Sequence, residues 1–257
     1  MSLLVVKDLC KRFGGLQAVG KVSFTVAAGS IKALIGPNGA GKTTLFNLIF
    51  GSLLPDSGQV WFDGKRIDGW KPHQVAAGGM ARTFQHIRLF SKMSAWENIA
   101  VGRHAHSRAG FLSSMVGLPW TRREQRAVCE KSLAIMRFLG VENLAEVEAS
   151  SLAYGQQRMV ELGRALACEP RLLLLDEPAA GLNMRETSEM ARLIARIRDT
   201  GVTVLLVEHD MTLVMNISDE VLVLSYGEKI ADDKPLAIQK HSEVIRVYLG
   251  EDDAQDT

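Results

Sequence analysis

The stretch "GPNGAGKTT" constrains this chain more than any other part of it. Its residues are Gly36, Pro37, Asn38, Gly39, Ala40, Gly41, Lys42, Thr43 and Thr44. It matches G-x-x-x-x-G-K-[ST] and follows directly on the apolar run "IKALI", so a strand feeds a glycine-rich loop that opens a helix. Gly39 and Gly41 let the backbone curl until its N–H groups converge on an anion. Lys42 then reaches the outer phosphates of a bound nucleotide, and the Thr43 hydroxyl is offered to Mg²⁺. Behind the loop, "TTLFNLIFG" sets Leu45, Leu48 and Ile49 on one helical face, with Gly51 as its C-terminal cap.

The rest of the chain is organised around that unit. "KVSFTVAAGSIKALIG" reads as two strands, the first alternating through Val22, Phe24 and Val26. "QVWFDGKRI" reads as a hairpin turned at Asp63 and Gly64. From about residue 91 to 150 strand-like alternation disappears. "REQRAVCEKSLAIMRFLG" has helical spacing through Val128, Leu133, Met136 and Leu139, so this block reads as a helical insertion. "RLLLLDEP" and "VTVLLVEHD" are short apolar runs of the kind that form buried parallel strands, separated by the helical "RETSEMARLIARIRDTG". "EVLVLSYGEKI" adds strand content near the end. Strands alternating with helices predict an α/β fold with a parallel sheet wrapped by helices.

Two carboxylates complement the phosphate loop. Asp176 ends a four-leucine strand, where it is placed to hold Mg²⁺ through water. Glu177 follows and can polarise a water for attack on the terminal phosphate. An isolated Asp-Glu pair more often caps a helix, but the apolar strand before it favours chemistry. His209, at the end of the other buried strand, can lie beside Glu177 along the carboxyl edge of the sheet, where open α/β sheets bind ligands. A second helix start, after Ala153 and Gly155 in "LAYGQQR", exposes backbone N–H groups without a lysine of its own, which makes it half of an anion site. The expected buried face of that helix is Met159, Leu162, Gly163 and Leu166.

Taken together, "GPNGAGKTT", the glutamine of "RTFQHIRLF", "LAYGQQR", "LLLLDEP", "AAGLN" and "VEHD" resemble, in order and spacing, the ATP-binding subunits of ABC transporters. The resemblance covers nearly the whole chain. It implies a P-loop NTPase (RecA-like) core with an N-terminal antiparallel β-subdomain, over residues 1–90 and 156–235. It also implies an inserted helical subdomain over 91–155 carrying the signature motif, and a C-terminal helix and acidic tail over 236–257. The implied ligands are ATP and Mg²⁺. Phe13 would stack on adenine. Gln85 would touch Mg²⁺ and the attacking water on a loop facing a membrane subunit. Glu177 would be the general base and His209 the γ-phosphate sensor. Ala153, Tyr154, Gly155 and Gln156 would bind ATP held by a second ATPase subunit packed head to tail. The metal set would be Thr43, Gln85 and Asp176.

Two departures matter. Ala153 and Tyr154 replace the Ser and Gly of the common Leu-Ser-Gly-Gly-Gln signature, and Asn183 stands where many relatives carry Asp. These variants, with "ARTFQHIRLFSKMSAWENIAVGRH" and the insert after it, are similar to the ATPases of branched-chain amino-acid importers. That likeness implies an ATP-driven motor at the cytoplasmic face of the inner membrane, attached through integral permease subunits. The alternative is a soluble ABC-type ATPase of DNA repair or translation. The insert of about 60 residues lacks the sustained heptads of a chromosome-type coiled coil, and the chain holds a single motif set where translation-type relatives usually hold two.

Bulk properties narrow the remaining classes. With 30 Lys and Arg against 29 Asp and Glu, the formal net charge is +1, so no nucleic-acid partner is expected. Cys10, Cys129 and Cys168 are scattered and odd in number, which fits reduced thiols. Lys7 and Asp8 interrupt the N-terminus before any secretory apolar stretch, so no signal peptide is expected. No Asn-Lys-x-Asp guanine motif and no G-x-S-x-G elbow is present. His104 and His106 suit a solvated loop better than a metal site. "TRREQR" suits a solvated helix face, with headgroup or partner contact as the second reading. Phe90, Met93 and Trp96 fit either a core or a groove for a membrane subunit's helix. Phe111, Leu112, Met115, Val116, Leu118 and Trp120 fit a packed hairpin or an interaction surface.

Overall fold

A computed structural model of the chain describes residues 1–103 and 119–249, with the backbone alone for 119–125 and 249. The expectations for His104, His106, the apolar stretch from Phe111 to Leu118, and the acidic tail 251–257 lie outside the described residues, as do the side chains of Trp120 and most of "TRREQR".

The chain divides into two compact units, Met1–Val75 with Arg171–Thr257, and Ala76–Pro170. The insertion expected over 91–155 falls inside the second.

The first unit contains an antiparallel sheet made of β1 (Ser2–Phe13), β2 (Leu16–Ala27), β4 (Ser57–Phe62) and β5 (Lys65–Arg66), in the order β2-β1-β4-β5. Leu4, Val6 and Leu9 of β1 and Val22, Phe24 and Val26 of β2 supply its buried face. The hairpin between β4 and β5 turns at Asp63 and Gly64, both at positive φ. β1 has no counterpart in the sequence reading. Its pairing with β2 shifts register between Val6 and Leu9, at Asp8 (φ 46°), and such a bulge destroys the period-two pattern that marks a strand.

The second sheet positions the chemistry. Its strands in this unit are β3 (Ile31–Ile35), β7 (Leu172–Asp176), β8 (Thr203–Val207), β9 (Glu220–Ser225) and β10 (Glu228–Asp233), lying in the order β10-β9-β3-β8-β7. β3 runs parallel to β8 and β9, and β7 runs parallel to β8, whereas β9 and β10 form an antiparallel hairpin. β3, β7 and β8 are buried along their whole length, as their apolar runs require. The one charge in β3, Lys32, is 1% exposed. Its ammonium is satisfied by Glu220 at 3.0 Å and Asp232 at 2.5 Å, and it lies over the Phe24 ring.

Of the helices, α1 (Lys42–Ile49) follows β3, and α2 (Pro72–Ala77) spans the boundary between the units. α3 (Ala95–Gly102), α4 (Pro119–Leu139) and α5 (Tyr154–Ala167) build the second unit together with the short strand β6 (Met80–Arg82). α6 (Met184–Asp199) connects β7 to β8 and α7 (Met211–Ile217) connects β8 to β9. α8 (Pro235–Ile238) and α9 (Ser242–Leu249) close the chain.

In the second unit α3, α4 and α5 share a core containing Ala95, Ile99, Met136, Val141, Leu152 and Val160. Gly163 is what allows the close approach, because a Cβ there would lie 2.8 Å from Ile99 Cδ1 and 2.9 Å from Leu139 Cδ1. The segment before α3 folds around Asn98. This fully buried amide accepts from Phe90 N and donates to the carbonyls of Phe90, Met93 and Ser94. The Ser94 hydroxyl and the Glu97 carboxylate complete a reciprocal cap. This arrangement separates the aromatic pair: Trp96 packs against the core, whereas Phe90 is half exposed.

Candidate functional site

Three loops leave the carboxyl ends of adjacent parallel strands, β3, β8 and β7. The pairing of Val207 with both Leu34 and Asp176 brings those ends level. Gly36, Glu177 and Glu208 each begin within two residues of that line, so strand register alone gathers the phosphate loop, Asp176, Glu177 and His209 on one edge of the sheet.

The loop after β3 curls through Gly36, Gly39 and Gly41, all at positive φ. Gly41 is the N-cap of α1 at φ 98°, where an added Cβ would lie 2.3 Å from the Ala18 carbonyl oxygen, so no other residue fits. As glycine it offers no side-chain acceptor, and the first turn of α1 carries no acidic residue. The N–H groups and positive dipole end of the helix are therefore left to an anion. Lys42 is 6% exposed and donates to the carbonyls of Gly36 at 2.6 Å and Pro37 at 2.8 Å. Ala40 is buried, while Asn38 and Thr43 are exposed and Thr44 is half-buried. Phe13 ends β1 as an exposed ring with the Lys11 ammonium 5.7 Å from its centroid.

Asp176 is 2% exposed at the end of β7. Glu177, the next residue, takes a left-handed conformation with φ 50°. Its N–H donates to the Val207 carbonyl at 2.9 Å, and its own carbonyl accepts from Ala180 N. A non-glycine residue at positive φ costs of the order of 1 kcal/mol and persists where its surroundings over-determine it. The turn aims the Glu177 carboxylate at His209, with Oε1 and Nε2 2.9 Å apart. Asn183, farther along the same loop, caps α6: its Oδ1 accepts from Glu186 N and its N–H donates to Glu186 Oε2. In this chain the position therefore serves helix capping.

Gln85 and the signature residues belong to the second unit. α5 begins at Tyr154, two residues earlier than its apolar spacing suggests, with Ala153 as N-cap and Gly155 in the first turn. Lacking a side-chain acceptor at Ala153, the cap is one-sided, with Ala153 N donating to Gln156 Oε1 at 3.0 Å. The buried face also differs from the expected one. Leu162 and Gly163 are buried, but Met159 and Leu166 are only partly so, and Arg158, Val160 and Glu161 are buried in their place. Arg158 is the reason. Its guanidinium donates to the carbonyls of Phe84 at 3.0 Å and Gln85 at 2.7 Å, to the Tyr154 hydroxyl at 3.0 Å, and to Glu161 at 3.4 Å. Glu161 accepts from Arg88 N as well, and burial pushes its carboxyl above the usual range. Tyr154, read from sequence as a departure from glycine, is thus a partner of the arginine that holds the Gln85 backbone. Hydrophobic periodicity cannot find Arg158 and Glu161, because it treats both as surface residues.

Glu208 is a further site residue that the sequence reading did not single out. It is 3% exposed, with Oε1 accepting from Ala179 N at 2.7 Å and Oε2 from His209 N at 3.1 Å. Burial raises its pKa, partly offset by these backbone donors. Among the described residues no cluster of three or more His, Cys, Asp or Glu could hold a metal ion, the three cysteines are free thiols, and no helix is long and apolar enough to cross a membrane.

Comparison with known proteins identifies the family and the fold. Residues 19–180 match the family described as ABC transporter, and residues 228–254 match the one described as branched-chain amino acid ATP-binding cassette transporter. The chain is 44% identical over 250 residues to BraF of Pseudomonas aeruginosa, named a high-affinity branched-chain amino acid transport ATP-binding protein, covering 97% of this chain and 98% of that one. It is 43% identical to LivG of Escherichia coli, of the same description, with the same coverage. A solved ATP-binding cassette of an ABC transporter in its ADP conformation superposes with a TM-score of 0.85 at 32% identity, covering 97% of this chain and 99% of that one. A nucleotide-free cassette does so with a TM-score of 0.84 at 31% identity, covering 96% and 99%. The α/β P-loop NTPase fold holds, and the chain belongs to the ATP-binding subunits of ABC transporters, in the family that contains BraF and LivG.

Proposed function

We propose that the chain is the ATP-hydrolysing subunit of an importer for branched-chain or related amino acids, working at the cytoplasmic face of the membrane through separate permease subunits. The observation that carries the hydrolytic part is the Glu177–His209 pair, 2.9 Å apart on the same strand edge as the Lys42 loop. The names of BraF and LivG support the solute class.

ATP binds with its phosphates against the N–H groups of residues 36–44 and its adenine on the exposed Phe13 ring. Lys42 exchanges its two loop carbonyls for phosphate oxygens, which are stronger partners for an ammonium. Glu177 takes a proton from the attacking water as general base. His209 holds the Glu177 carboxylate through Nε2 and touches the terminal phosphate. Mg²⁺ would be held by hard oxygens, the Thr43 hydroxyl and the Asp176 carboxylate of the first unit, with the Gln85 amide of the second unit as the further donor that the family likeness implies. A magnesium ion usually takes one or two protein oxygens and completes its shell with phosphate and water, so a three-residue cluster is not required. When bound, the ion would neutralise developing phosphate charge.

Ala153, Tyr154, Gly155 and Gln156 form the complementary half-site for ATP bound to a second ATPase subunit, through backbone N–H groups at the start of α5. The second unit, Ala76–Pro170, serves as the arm that carries this half-site and, near Gln85 and Phe90, meets the permease. Glu177→Gln tests the hydrolytic reading: ATP binding persists while hydrolysis slows about a hundredfold or more, and the mutant elutes as a dimer with Mg-ATP. Elution as a monomer with and without nucleotide contradicts the shared site.

A further inference from the structure

We propose that Glu208 is a positioning residue for ATP hydrolysis, clamping the loop that carries Glu177 to the loop that carries His209. The proposal rests on the reading of Glu177 and His209 given above.

The two loops come from different strands, and besides the Glu177 N–Val207 O bond and the Glu177–His209 contact the buried Glu208 carboxylate ties one backbone to the other. One oxygen accepts from Ala179 N, two residues beyond Glu177, at 2.7 Å. The other accepts from His209 N at 3.1 Å. Both lie in a site where Glu208 is 3% exposed, so neither bond exchanges readily with water. Hydrogen bonds to an ionised carboxylate are about twice as strong as neutral ones, and a buried carboxylate cannot lose one without a desolvation cost. A neutral side chain of similar shape cannot replace it. An amide would present N–H₂ to one of two N–H donors, and an aliphatic chain would leave both unpaired.

The geometry that needs holding is specific. Glu177 sits at φ 50°, and its Oε1 must stay 2.9 Å from His209 Nε2. Nothing in the Glu177–His209 contact fixes the separation of the two backbones. The Glu177 N–Val207 O bond sets it on the strand side, and the Ala179–Glu208–His209 bridge sets it on the loop side, two residues beyond Glu177 and at His209 itself. The phosphate loop follows β3 and Lys42 opens α1, outside this bridge, which separates its effect on turnover from any effect on binding.

The test uses the full chain with Glu208→Gln, Glu208→Asp and His209→Ala, measuring kcat, ATP dissociation constant and thermal midpoint. Glu208→Gln should lower kcat about tenfold to a hundredfold, the scale of a misplaced catalytic group, with ATP affinity within about twofold. Glu208→Asp retains the charge and should recover part of the loss. In the His209→Ala background Glu208→Gln should cost less than about threefold, because the geometry it protects is already gone. An unchanged kcat, an equal fold loss in both backgrounds, or a loss of ATP affinity matching the loss of kcat overturns the proposal. Glu177→Gln separates the two levels. Wild-type hydrolysis in that variant defeats the underlying reading, whereas a dead Glu177→Gln beside a normal Glu208→Gln defeats this inference alone.

Discussion

Replacing Arg158 with leucine should loosen the start of α5 and the Gln85 segment together. Arg158 is 3% exposed and makes four contacts, to the carbonyls of Phe84 and Gln85, the Tyr154 hydroxyl and Glu161. Its removal leaves Glu161, 2% exposed, without its nearest cation. Breaking a buried ion pair by deleting one partner costs about 3–5 kcal/mol. Three features place this case at the low end. The pair is 3.4 Å apart, Arg164 stands 3.9 Å from the same carboxylate, and the Nε of Arg158 is itself buried without a partner, so its loss relieves a cost. A loss of about 3 kcal/mol corresponds to roughly a hundredfold faster exchange wherever opening is limited by this cluster. The assay is amide hydrogen exchange read by mass spectrometry over peptides covering residues 83–90 and 150–162. Both peptides should accelerate together in Arg158→Leu, and Arg158→Leu with Glu161→Leu should recover part of the protection, since it leaves no unpaired charge. Exchange within threefold of wild type in the single variant, or acceleration of one peptide alone, would refute the reasoning.

Glu161 also predicts a pH dependence. Burial raises its folded pKa above the unfolded one, so the folded state binds the proton more tightly, and the stability contribution falls as pH rises from the ordinary carboxylate value through the raised one. Urea midpoints should therefore decline across that window in wild type and decline less in Glu161→Gln. Asn183→Ala removes the cap on α6 and should cost about 1 kcal/mol in thermal or urea denaturation, while Asn183→Asp retains the acceptor and should stay near wild type. Phe90→Asp places a charge on a half-exposed ring whose backbone Asn98 holds, and should reduce co-purification with permease subunits while leaving the soluble ATPase rate intact. Equal loss of both would make Phe90 a folding residue.

The part of the site most legible in sequence is the part made by strand ends. The apolar runs of four residues inside the five-residue strands Leu172–Asp176 and Thr203–Val207 can be recognised locally, and parallel register then places Asp176, Glu177 and His209 on one edge. The glycine loop is legible for the same reason, because a positive φ at Gly41 is a local demand. Polar burial is not legible. Arg158, Glu161 and Glu208 are charged residues that each bind at least one backbone group dozens of positions away, and hydrophobic periodicity assigns them to solvent. The twelve-residue β1 escapes for a different reason. Asp8 breaks its alternation, and the pairing with β2 and β4 restores the strand only in three dimensions.

The claim on which the rest depends is that each hydrolytic site is shared, with the phosphate loop of one chain facing the signature residues of another. The most direct measurement mixes two variants, Lys42→Ala and Gly155→Glu, each with its own ATPase activity lost. In a head-to-tail pair the mixed dimer rebuilds one intact site, from the phosphate loop of the Gly155→Glu chain and the signature of the Lys42→Ala chain. An equal mixture should therefore recover about a quarter of the wild-type rate, since about half of the dimers are mixed and each has one working site of two. A mixture as inactive as its components would contradict the account.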